Sequence, residues 1–234
     1  MNDTGTKQSI LKLIGMAIFI IIFFPAVIIT LSGNISWIEG WIFCIWFEIM
    51  MLTNILYMYK KNPELLTERL NAHGSHNQKK WDRYLLGSLF LLSALWIVSI
   101  PLDVQRFHWS PLFPLYIKII GIVILIFAMY FLIRPTIDNP YLSTVVRIQS
   151  DRKQQVISTG VYSIIRHPQY LGIVMLILSG PLFLGSMVGL IIGVFIVIDI
   201  VIRIIGEEKM LIKELDGYSN YKKKVKYRLL PFIW

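Results

Sequence analysis

The amino-acid sequence predicts an all-α integral membrane protein with about six transmembrane helices. Three observations support this prediction: 56% of the 234 residues are hydrophobic, only 16% are charged, and several uncharged stretches are long enough to cross a bilayer. The mean hydropathy of +0.63 also lies well above that of an ordinary soluble domain. We therefore expect residues 1–234 to form a single membrane domain.

Four of the predicted crossings lie in residues 1–133. Residues 13–31 contain no charge, and about 20 apolar residues are enough to cross the hydrocarbon core as a helix. Lys7 and Lys12 precede this stretch and no small-residue cleavage site follows it, which favours a retained anchor over a signal peptide. The next three crossings are expected at residues 37–59, 84–102 and 113–133.

Residues 170–206 are predicted to form a helical hairpin, which supplies the last two crossings. The uncharged part of this region, residues 170–198, is too long for one untilted helix and short for two complete ones. Proline cannot continue a helix and glycine permits a turn. We therefore place the turn at Gly180-Pro181 through Gly185-Ser186.

The distribution of basic residues sets the predicted topology. Six Lys or Arg fall in residues 60–83, five in residues 134–166 and eight from Arg203 onward. Because loops rich in Lys and Arg stay in the cytoplasm, an even number of crossings must follow the fourth one. This topology gives a multi-pass membrane protein with both termini in the cytoplasm.

The sequence argues against several other classes of protein. The net charge of +9 is explained by topology, and no aromatic stacking platforms alternate with base-reading side chains, so we expect no nucleic-acid partner. His73, His76 and His108 have no partners at ligand spacing, and we expect no metal. The single cysteine, Cys44, can form no intrachain disulfide.

Two polar clusters interrupt the apolar stretches near the end of the chain. Residues 160–172 read GVYSIIRHPQYLG, and the second cluster consists of Asp199, Arg203, Glu207 and Glu208. Polar residues kept at a membrane boundary usually serve a function. In the second cluster, residues four apart lie along one side of a helix, where they either face a ligand or form an internal ladder of ion pairs.

The first cluster is predicted to begin the fifth crossing. Pro168 suits the first turn of a helix, where its missing N–H would have no partner in any case. Gly160 and Gly172 permit a close approach of the backbone to a ligand or to another helix. The alternative is an interfacial helix start, with Arg166 and Tyr170 anchored to lipid headgroups. We expect the two clusters to meet at one membrane face.

In these residues the chain resembles the isoprenylcysteine carboxyl methyltransferase family and the related phospholipid methyltransferases. The resemblance covers about the last hundred residues, from Asn139 to Pro231. Its pieces are NPYLS at 139–143 with VRIQ at 146–149, GVY at 160–162, RHPQYLG at 166–172, and Arg203 followed by Glu207, Glu208 and Leu211. Tyr218, Tyr221 and Pro231 complete the match.

The resemblance implies a membrane-embedded methyltransferase that depends on S-adenosyl-L-methionine, with residues 134–234 as its core. The cofactor would lie at the cytoplasmic face, between the loop before the fifth crossing and a C-terminal helical segment. The implied cofactor-binding residues are Gln155, Val156, Gly160, Tyr162, Arg166, His167, Tyr170, Gly172, Glu207 and Glu208. Arg203 and Asn139 would contact the methyl acceptor, and Arg203 and Glu207 are the implied catalytic residues.

The resemblance also implies a lipophilic acceptor with a carboxylate, such as a prenylated cysteine, reached from the membrane lipid. A phospholipid amine or a small thiol is an alternative acceptor, because the first three crossings match no pattern of the family. Two alternatives of another class are an NADPH-dependent sterol-type reductase and a transporter.

Overall fold

The computed structural model describes residues 13, 15, 17–71 and 78–234. Lys7, Lys12, His73 and His76 lie outside the described residues, and so do the predictions that rest on them. In the described part, the regular elements are all helical, and the extended contact is an isolated parallel bridge between Ile165 and Tyr227.

The helices follow one another with short connections, except for one long loop before α6. In chain order they are α1 (Phe24–Ser32), α2 (Ile38–Lys61), α3 (Pro63–Asn71), α4 (Lys80–Pro101), α5 (Leu115–Asp138), α6 (Pro168–Leu184), α7 (Met187–Glu214) and α8 (Tyr218–Lys224). Two π-helical segments, Phe19–Phe23 and Leu102–Phe107, adjoin α1 and α4. The long loop carries the 3-10 turns Ser150–Arg152 and Gly160–Ser163.

Four helices in the described part are long and apolar enough to cross a membrane. They are Ile38–Lys61, Lys80–Phe107, Leu115–Asp138 and Met187–Glu214. The other two predicted crossings correspond to shorter apolar helices, Ile20–Ser32 and Pro168–Leu184. The all-helical membrane class is therefore confirmed, and the count of six crossings stays a prediction.

The predicted hairpin of α6 and α7 is present, but its turn is tighter than the sequence indicated. α6 continues through Gly180 and Pro181, and the chain turns at Gly185, which has a left-handed φ of 87°. Gly180 and Pro181 are helical, so the prediction that they belong to the turn is wrong. A side chain of α4 replaces the helical hydrogen bond that the proline removes. The indole N–H of Trp96 donates to the carbonyl of Ile177 (3.2 Å), the acceptor that Pro181 leaves without its helical donor.

α5 and α6 approach each other closely because glycines stand at their contact. A Cβ atom at Gly121 would lie 2.6 Å from the backbone nitrogen of Phe183. A Cβ atom at Gly172 would lie 2.8 Å from the carbonyl carbon of Phe131. Small residues allow such contacts between membrane helices. Gly172 therefore has a clear structural role, which is to fix the first turns of α6 against α5.

Two of the three hydrophobic clusters among the described residues hold the bundle and its long loop together. The larger one joins α1, α2, α4, α5, α6 and α7 and includes the buried side chains of Phe43, Cys44, Trp96, Ile177 and Ile200. The smaller one consists of Val146, Met210, Leu211, Tyr218, Tyr221 and Val225. This second cluster holds the long loop and α8 against the end of α7, where the two polar clusters lie.

A buried carboxylate ties α4 to the start of α7 at the opposite end of the bundle. Asp103 is 0% exposed and accepts hydrogen bonds from the hydroxyl groups of Ser110 (2.6 Å) and Ser186 (2.5 Å). Ser186 also caps α7, because its Oγ accepts the backbone N–H of Gly189 (2.8 Å).

We expect Gly121→Ala to destabilise the bundle by about 1–3 kcal/mol, the usual cost of overpacking a core. The added methyl group forces α5 and α6 apart, because the nearest atom belongs to backbone. Chemical unfolding of the purified protein in detergent measures the loss.

Gly87→Ala is the matched control for this prediction. Gly87 also lies inside a long apolar helix, but no atom lies within 4 Å of the position that the added methyl group would occupy. We expect this variant to be as stable as the wild type or more so. Equal losses in the two variants would show that the close contact of α5 and α6 is unimportant.

Candidate active site

A cavity of about 260 Å³ lies at the end of the bundle where α5 ends, α6 begins and α7 ends. Its wall is formed by loop residues 141–147 and 154–157, by residues 166–170, and by Asn139, Tyr162, Ile173, Arg203, Glu207, Met210, Leu211, Leu215, Tyr218 and Tyr221. The structure thus brings the two polar clusters of the sequence to one place.

Most of the residues predicted for the site line this cavity. They are Asn139, Gln155, Val156, Tyr162, Arg166, His167, Tyr170, Arg203 and Glu207. Three predicted residues, Gly160, Gly172 and Glu208, lie outside the wall. In the described part of the chain, no group of three or more His, Cys, Asp or Glu side chains is arranged to hold a metal ion.

Glu207 and Tyr170 join the two clusters directly. The hydroxyl of Tyr170, in the first turn of α6, donates to Oε2 of Glu207 near the end of α7 (2.7 Å). Arg203 stands one turn before Glu207, and its guanidinium carbon lies 5.7 Å from the centre of the Tyr170 ring. Tyr170 therefore contacts both an acidic and a basic residue of the wall.

The guanidinium of Arg203 is held along one edge. Its Nε donates to Oδ1 of Asp82 on α4 (2.8 Å), and its Nη2 donates to the carbonyl of Thr144 in the loop (2.8 Å). Its Nη1 group makes no hydrogen bond to a described residue. Because a guanidinium has five N–H donors, the terminal edge formed by Nη1 and Nη2 is left for a ligand.

Glu208 fastens the C-terminal segment to the start of α6. Its carboxylate, in a side chain 3% exposed, accepts hydrogen bonds from Nε of Arg166 (2.6 Å) and Nε of Arg228 (2.8 Å). Nε2 of His167 lies 3.3 Å from the same carboxylate. Consecutive residues on a helix point about 100° apart, so Glu207 can face the cavity while Glu208 is saturated behind it.

The start of α6 is also fixed through its backbone. The N–H groups of Arg166 and His167 donate to the carbonyls of Tyr227 (3.0 Å) and Arg228 (2.9 Å). α6 then begins at Pro168, as the sequence predicts. These bonds hold Arg166 and His167 in the cavity wall, independently of their side-chain partners.

Gly160 is required by the way the loop attaches to the end of α5. Its φ is +58°, and a Cβ atom there would collide with the carboxylate of Asp138. That carboxylate accepts the backbone N–H of Val161 (2.9 Å) and Nε of Arg134 (3.0 Å). Gly160 thus positions the segment that carries Tyr162.

Three buried hydroxyl groups of the wall have no hydrogen-bond partner among the described residues. They belong to Thr144, Tyr162 and Tyr218. Burial raises the pKa of both tyrosines above the ordinary value, so their hydroxyls stay protonated and can donate. A buried polar group without a partner costs roughly 1–3 kcal/mol, which a polar ligand would offset.

Some residues of the site could not be recognised from the sequence. Asp82 precedes its partner Arg203 by 121 positions, and an acidic residue in the first turn of a helix is otherwise unremarkable. Thr144 falls between two matched family motifs. Tyr218 belongs to the resemblance, but its role became apparent only with its buried and unpaired hydroxyl.

Helix α3 holds the loop in place over the cavity. Glu68 accepts two hydrogen bonds from Arg147 (2.9 and 2.7 Å) and one from the hydroxyl of Ser143 (2.9 Å). The next residue, Arg69, donates to the carbonyl of Leu142 (3.0 Å). Because loop residues 141–147 line the cavity, α3 and this stretch of wall are mechanically linked.

The part of the chain that carries the cavity matches a known family. Residues 118–213 match the isoprenylcysteine carboxyl methyltransferase family, which confirms the family predicted from the motifs for this segment. No curated protein matches the chain. Among solved structures, the chain is similar to the eukaryotic intramembrane Ras methyltransferase ICMT, with 16% identity and a TM-score of 0.46, over 100% of this chain and 88% of the other.

We expect the melting temperature of Glu68→Gln to fall less than that of the wild type as the pH is lowered. The hydrogen bond from Arg147 lowers the pKa of Glu68 in the folded protein. A lowered folded pKa contributes stability that is complete above the unfolded pKa, about 4.3, and is lost as the pH falls through the folded pKa. Melting temperatures measured from pH 7 down to pH 3 should therefore fall more steeply in the wild type than in the variant.

Glu64→Gln is the control, because Glu64 lies on the same short helix but its side chain is 80% exposed. Its contact with Arg152 is also long for an ion pair, at 3.4 Å. Such an exposed ion pair contributes little, so this variant should follow the wild-type profile. If both variants respond to acid in the same way, the ion pair between Glu68 and Arg147 does not stabilise the attachment of the loop to α3.

Proposed function

We propose that this chain, whose residues 118–213 match the isoprenylcysteine carboxyl methyltransferase family, is an integral membrane methyltransferase that uses S-adenosyl-L-methionine. The observation that carries the proposal is the cavity in which Glu207, Tyr170 and Arg203 meet beneath the loop. The methyl acceptor we propose is the carboxylate of a lipophilic molecule resembling isoprenylcysteine.

The residues present fit the cofactor. Glu207 offers a carboxylate to a positively charged group, and the unpaired hydroxyls of Thr144, Tyr162 and Tyr218 offer hydrogen bonds to a polar one. A volume of about 260 Å³ is close to the lower end of the range for small-molecule pockets. When bound, the cofactor supplies an electrophilic methyl group on a positively charged sulfur.

We assign the other wall residues by their positions. Gln155, Val156, Tyr162, Arg166, His167 and Tyr170 would surround the cofactor together with Glu207, while Arg203 and Asn139 would face the acceptor. Gly160, Gly172 and Glu208 would support the site from outside its wall. Their proposed task is to fix the loop, the contact of α5 with α6 and the start of α6.

Arg203 suits the task of holding a carboxylate. Its terminal edge has two N–H groups in the geometry that matches both oxygens of a carboxylate. A carboxylate is already ionised at neutral pH, so the reaction needs no general base. The buried position of Arg203, which is 8% exposed, strengthens this attraction because the surroundings screen it less than water does.

The saturation of Glu208 removes one of the two candidate bases that an amine or thiol acceptor would need. An amine or thiol would lose a proton, and His167 and Glu208 are the candidate bases near the start of α6. Glu208, however, is saturated by Arg166 and Arg228, and the ring of His167 faces that same carboxylate. Glu208 is therefore not free to accept a proton from an acceptor in the cavity.

We also propose that the cavity opens at the cytoplasmic face. The basic residues at 60–71, 78–83 and 134–166, and those after α7, lie at the end of the bundle that carries the cavity. Loops rich in Lys and Arg favour the cytoplasm. The C-terminus would then be cytoplasmic, and with six crossings the N-terminus as well.

We expect Glu207→Gln to weaken the binding of S-adenosylhomocysteine at least about 10-fold, because hydrogen bonds to charged groups contribute about 1.5–3 kcal/mol. Tyr170→Phe, which removes the hydroxyl that orients Glu207, should weaken it less. Isothermal titration calorimetry on the purified variants gives both affinities.

Glu214→Gln is the control for this measurement, because Glu214 lies on the same helix but pairs with Lys79 at the surface. Its affinity should equal that of the wild type. Unchanged affinity in Glu207→Gln would contradict the cofactor assignment. Thermal stabilisation of the wild type by NADPH instead of S-adenosylhomocysteine would point to the reductase class.

We expect Arg203→Ala to lower methyl transfer about 100-fold or more, as the loss of a group that stabilises reacting charge does in other enzymes. Labelled S-adenosylmethionine and N-acetyl-S-farnesylcysteine serve as substrates for the purified protein. Binding of S-adenosylhomocysteine should change little, because Arg203 faces the acceptor. Arg83→Ala is the control variant, because Arg83 is exposed and should not affect turnover. Turnover retained in Arg203→Ala would refute the role of Arg203.

A further inference from the structure

We propose that Asp82 is a positioning residue that orients the guanidinium of Arg203 toward the methyl acceptor. The inference rests on the proposed function, since it is that function which gives Arg203 an acceptor to hold. Asp82 lies in the first turn of α4, outside the stretch that matches the family.

Both oxygens of the Asp82 carboxylate are occupied by donors. Oδ1 accepts Nε of Arg203 (2.8 Å), while Oδ2 accepts the side-chain amide of Gln78 (3.0 Å) and the backbone N–H of Val146 (2.9 Å). The side chain is 0% exposed. A carboxylate this enclosed can adopt one orientation, and it transmits that orientation to Arg203.

The start of α4 is joined to the cavity wall in both directions. While Val146 donates to Asp82, its carbonyl accepts the backbone N–H of Lys79 (3.2 Å). Two residues earlier in the loop, the carbonyl of Thr144 accepts Nη2 of Arg203 (2.8 Å). Asp82, Arg203 and the loop therefore form a closed triangle, and no corner can rotate without breaking a bond at another.

These hydrogen bonds determine which edge of the Arg203 guanidinium is available to the acceptor. The edge formed by Nε and Nη2 is taken by Asp82 and Thr144. The ring of Tyr170 borders the guanidinium at 5.7 Å. Without the pair to Asp82, the long side chain of Arg203 would gain rotamers that turn this terminal edge away from the reacting position.

Asp82→Asn tests the inference with almost no change of shape. An amide has one oxygen and one NH₂ group, so one of its ends must face a donor: either Nε of Arg203, or the N–H groups of Gln78 and Val146. Either orientation breaks the triangle. The variant also leaves Arg203 with an unbalanced buried charge, which favours further movement of the guanidinium.

Asp103→Asn is the matched control. Asp103 is also 0% exposed, belongs to the continuation of the same helix and accepts several hydrogen bonds, but its partners lie at the opposite end of the bundle. Any general loss of stability from replacing a buried carboxylate by an amide should appear in both variants. A change in the kinetics of the acceptor should appear in Asp82→Asn alone.

The experiment measures kcat and KM for N-acetyl-S-farnesylcysteine, affinity for S-adenosylhomocysteine, and the Nε–H resonance of Arg203 in ¹⁵N-labelled protein. For Asp82→Asn we expect kcat/KM to fall at least about 30-fold, because Arg203 loses its orientation. For the same reason the Nε–H resonance of Arg203 should shift. The affinity for S-adenosylhomocysteine should stay within about threefold of the wild-type value. Asp103→Asn should keep the wild-type kcat/KM and resonance at a temperature where it is folded.

Three results would overturn the inference: wild-type kcat/KM in Asp82→Asn, an equal loss of kcat/KM in Asp103→Asn, or a loss of cofactor affinity as large as the loss of kcat/KM. The last result would assign Asp82 to the general build of the cavity. A wild-type protein that binds the cofactor but transfers no methyl group to the acceptor overturns the proposed function first, and the role of Asp82 with it.

Discussion

The need to pair three charged residues near the end of α7 determines how the surrounding segments are arranged. Arg203, Glu207 and Glu208 lie in the last three turns of a helix long and apolar enough to cross a membrane, where an unpaired charge is costly. Each takes its partner from a different part of the chain: Asp82 on α4, Tyr170 on α6, and the arginines at the start of α6 and in the C-terminal segment. Those segments consequently converge around one cavity.

Charged side chains whose hydrogen bonds are all satisfied lie around the cavity, whereas those with unused donors or acceptors line it. Asp82 and Glu208 are saturated, and they fix the segments that surround the cavity. Arg203 and Glu207 keep donors or acceptors available toward the cavity, together with the unpaired hydroxyls of the wall. A rigid outer layer that supports an incompletely satisfied inner one is what a preorganised binding site requires.

Local patterns in the sequence predicted the long apolar helices and the meeting of the two polar clusters, because hydropathy, charge and proline position act over short distances, but they did not predict α3. The exact turn of the hairpin could not be predicted, since it depends on a hydrogen bond from Trp96 to Ile177 across two helices. Asp82 could not be predicted for the same reason. Its role depends on a contact with a residue 121 positions away, and no local sequence pattern indicates such a contact.

We propose that the loop, the start of α6 and the end of α7 enclose the cofactor. An experimental structure of the protein with S-adenosylhomocysteine tests it most directly. We expect density for the ligand in the cavity, within hydrogen-bond distance of Glu207 and of at least one of the hydroxyls of Thr144, Tyr162 and Tyr218. Ligand density elsewhere, with this cavity holding only water, would contradict it.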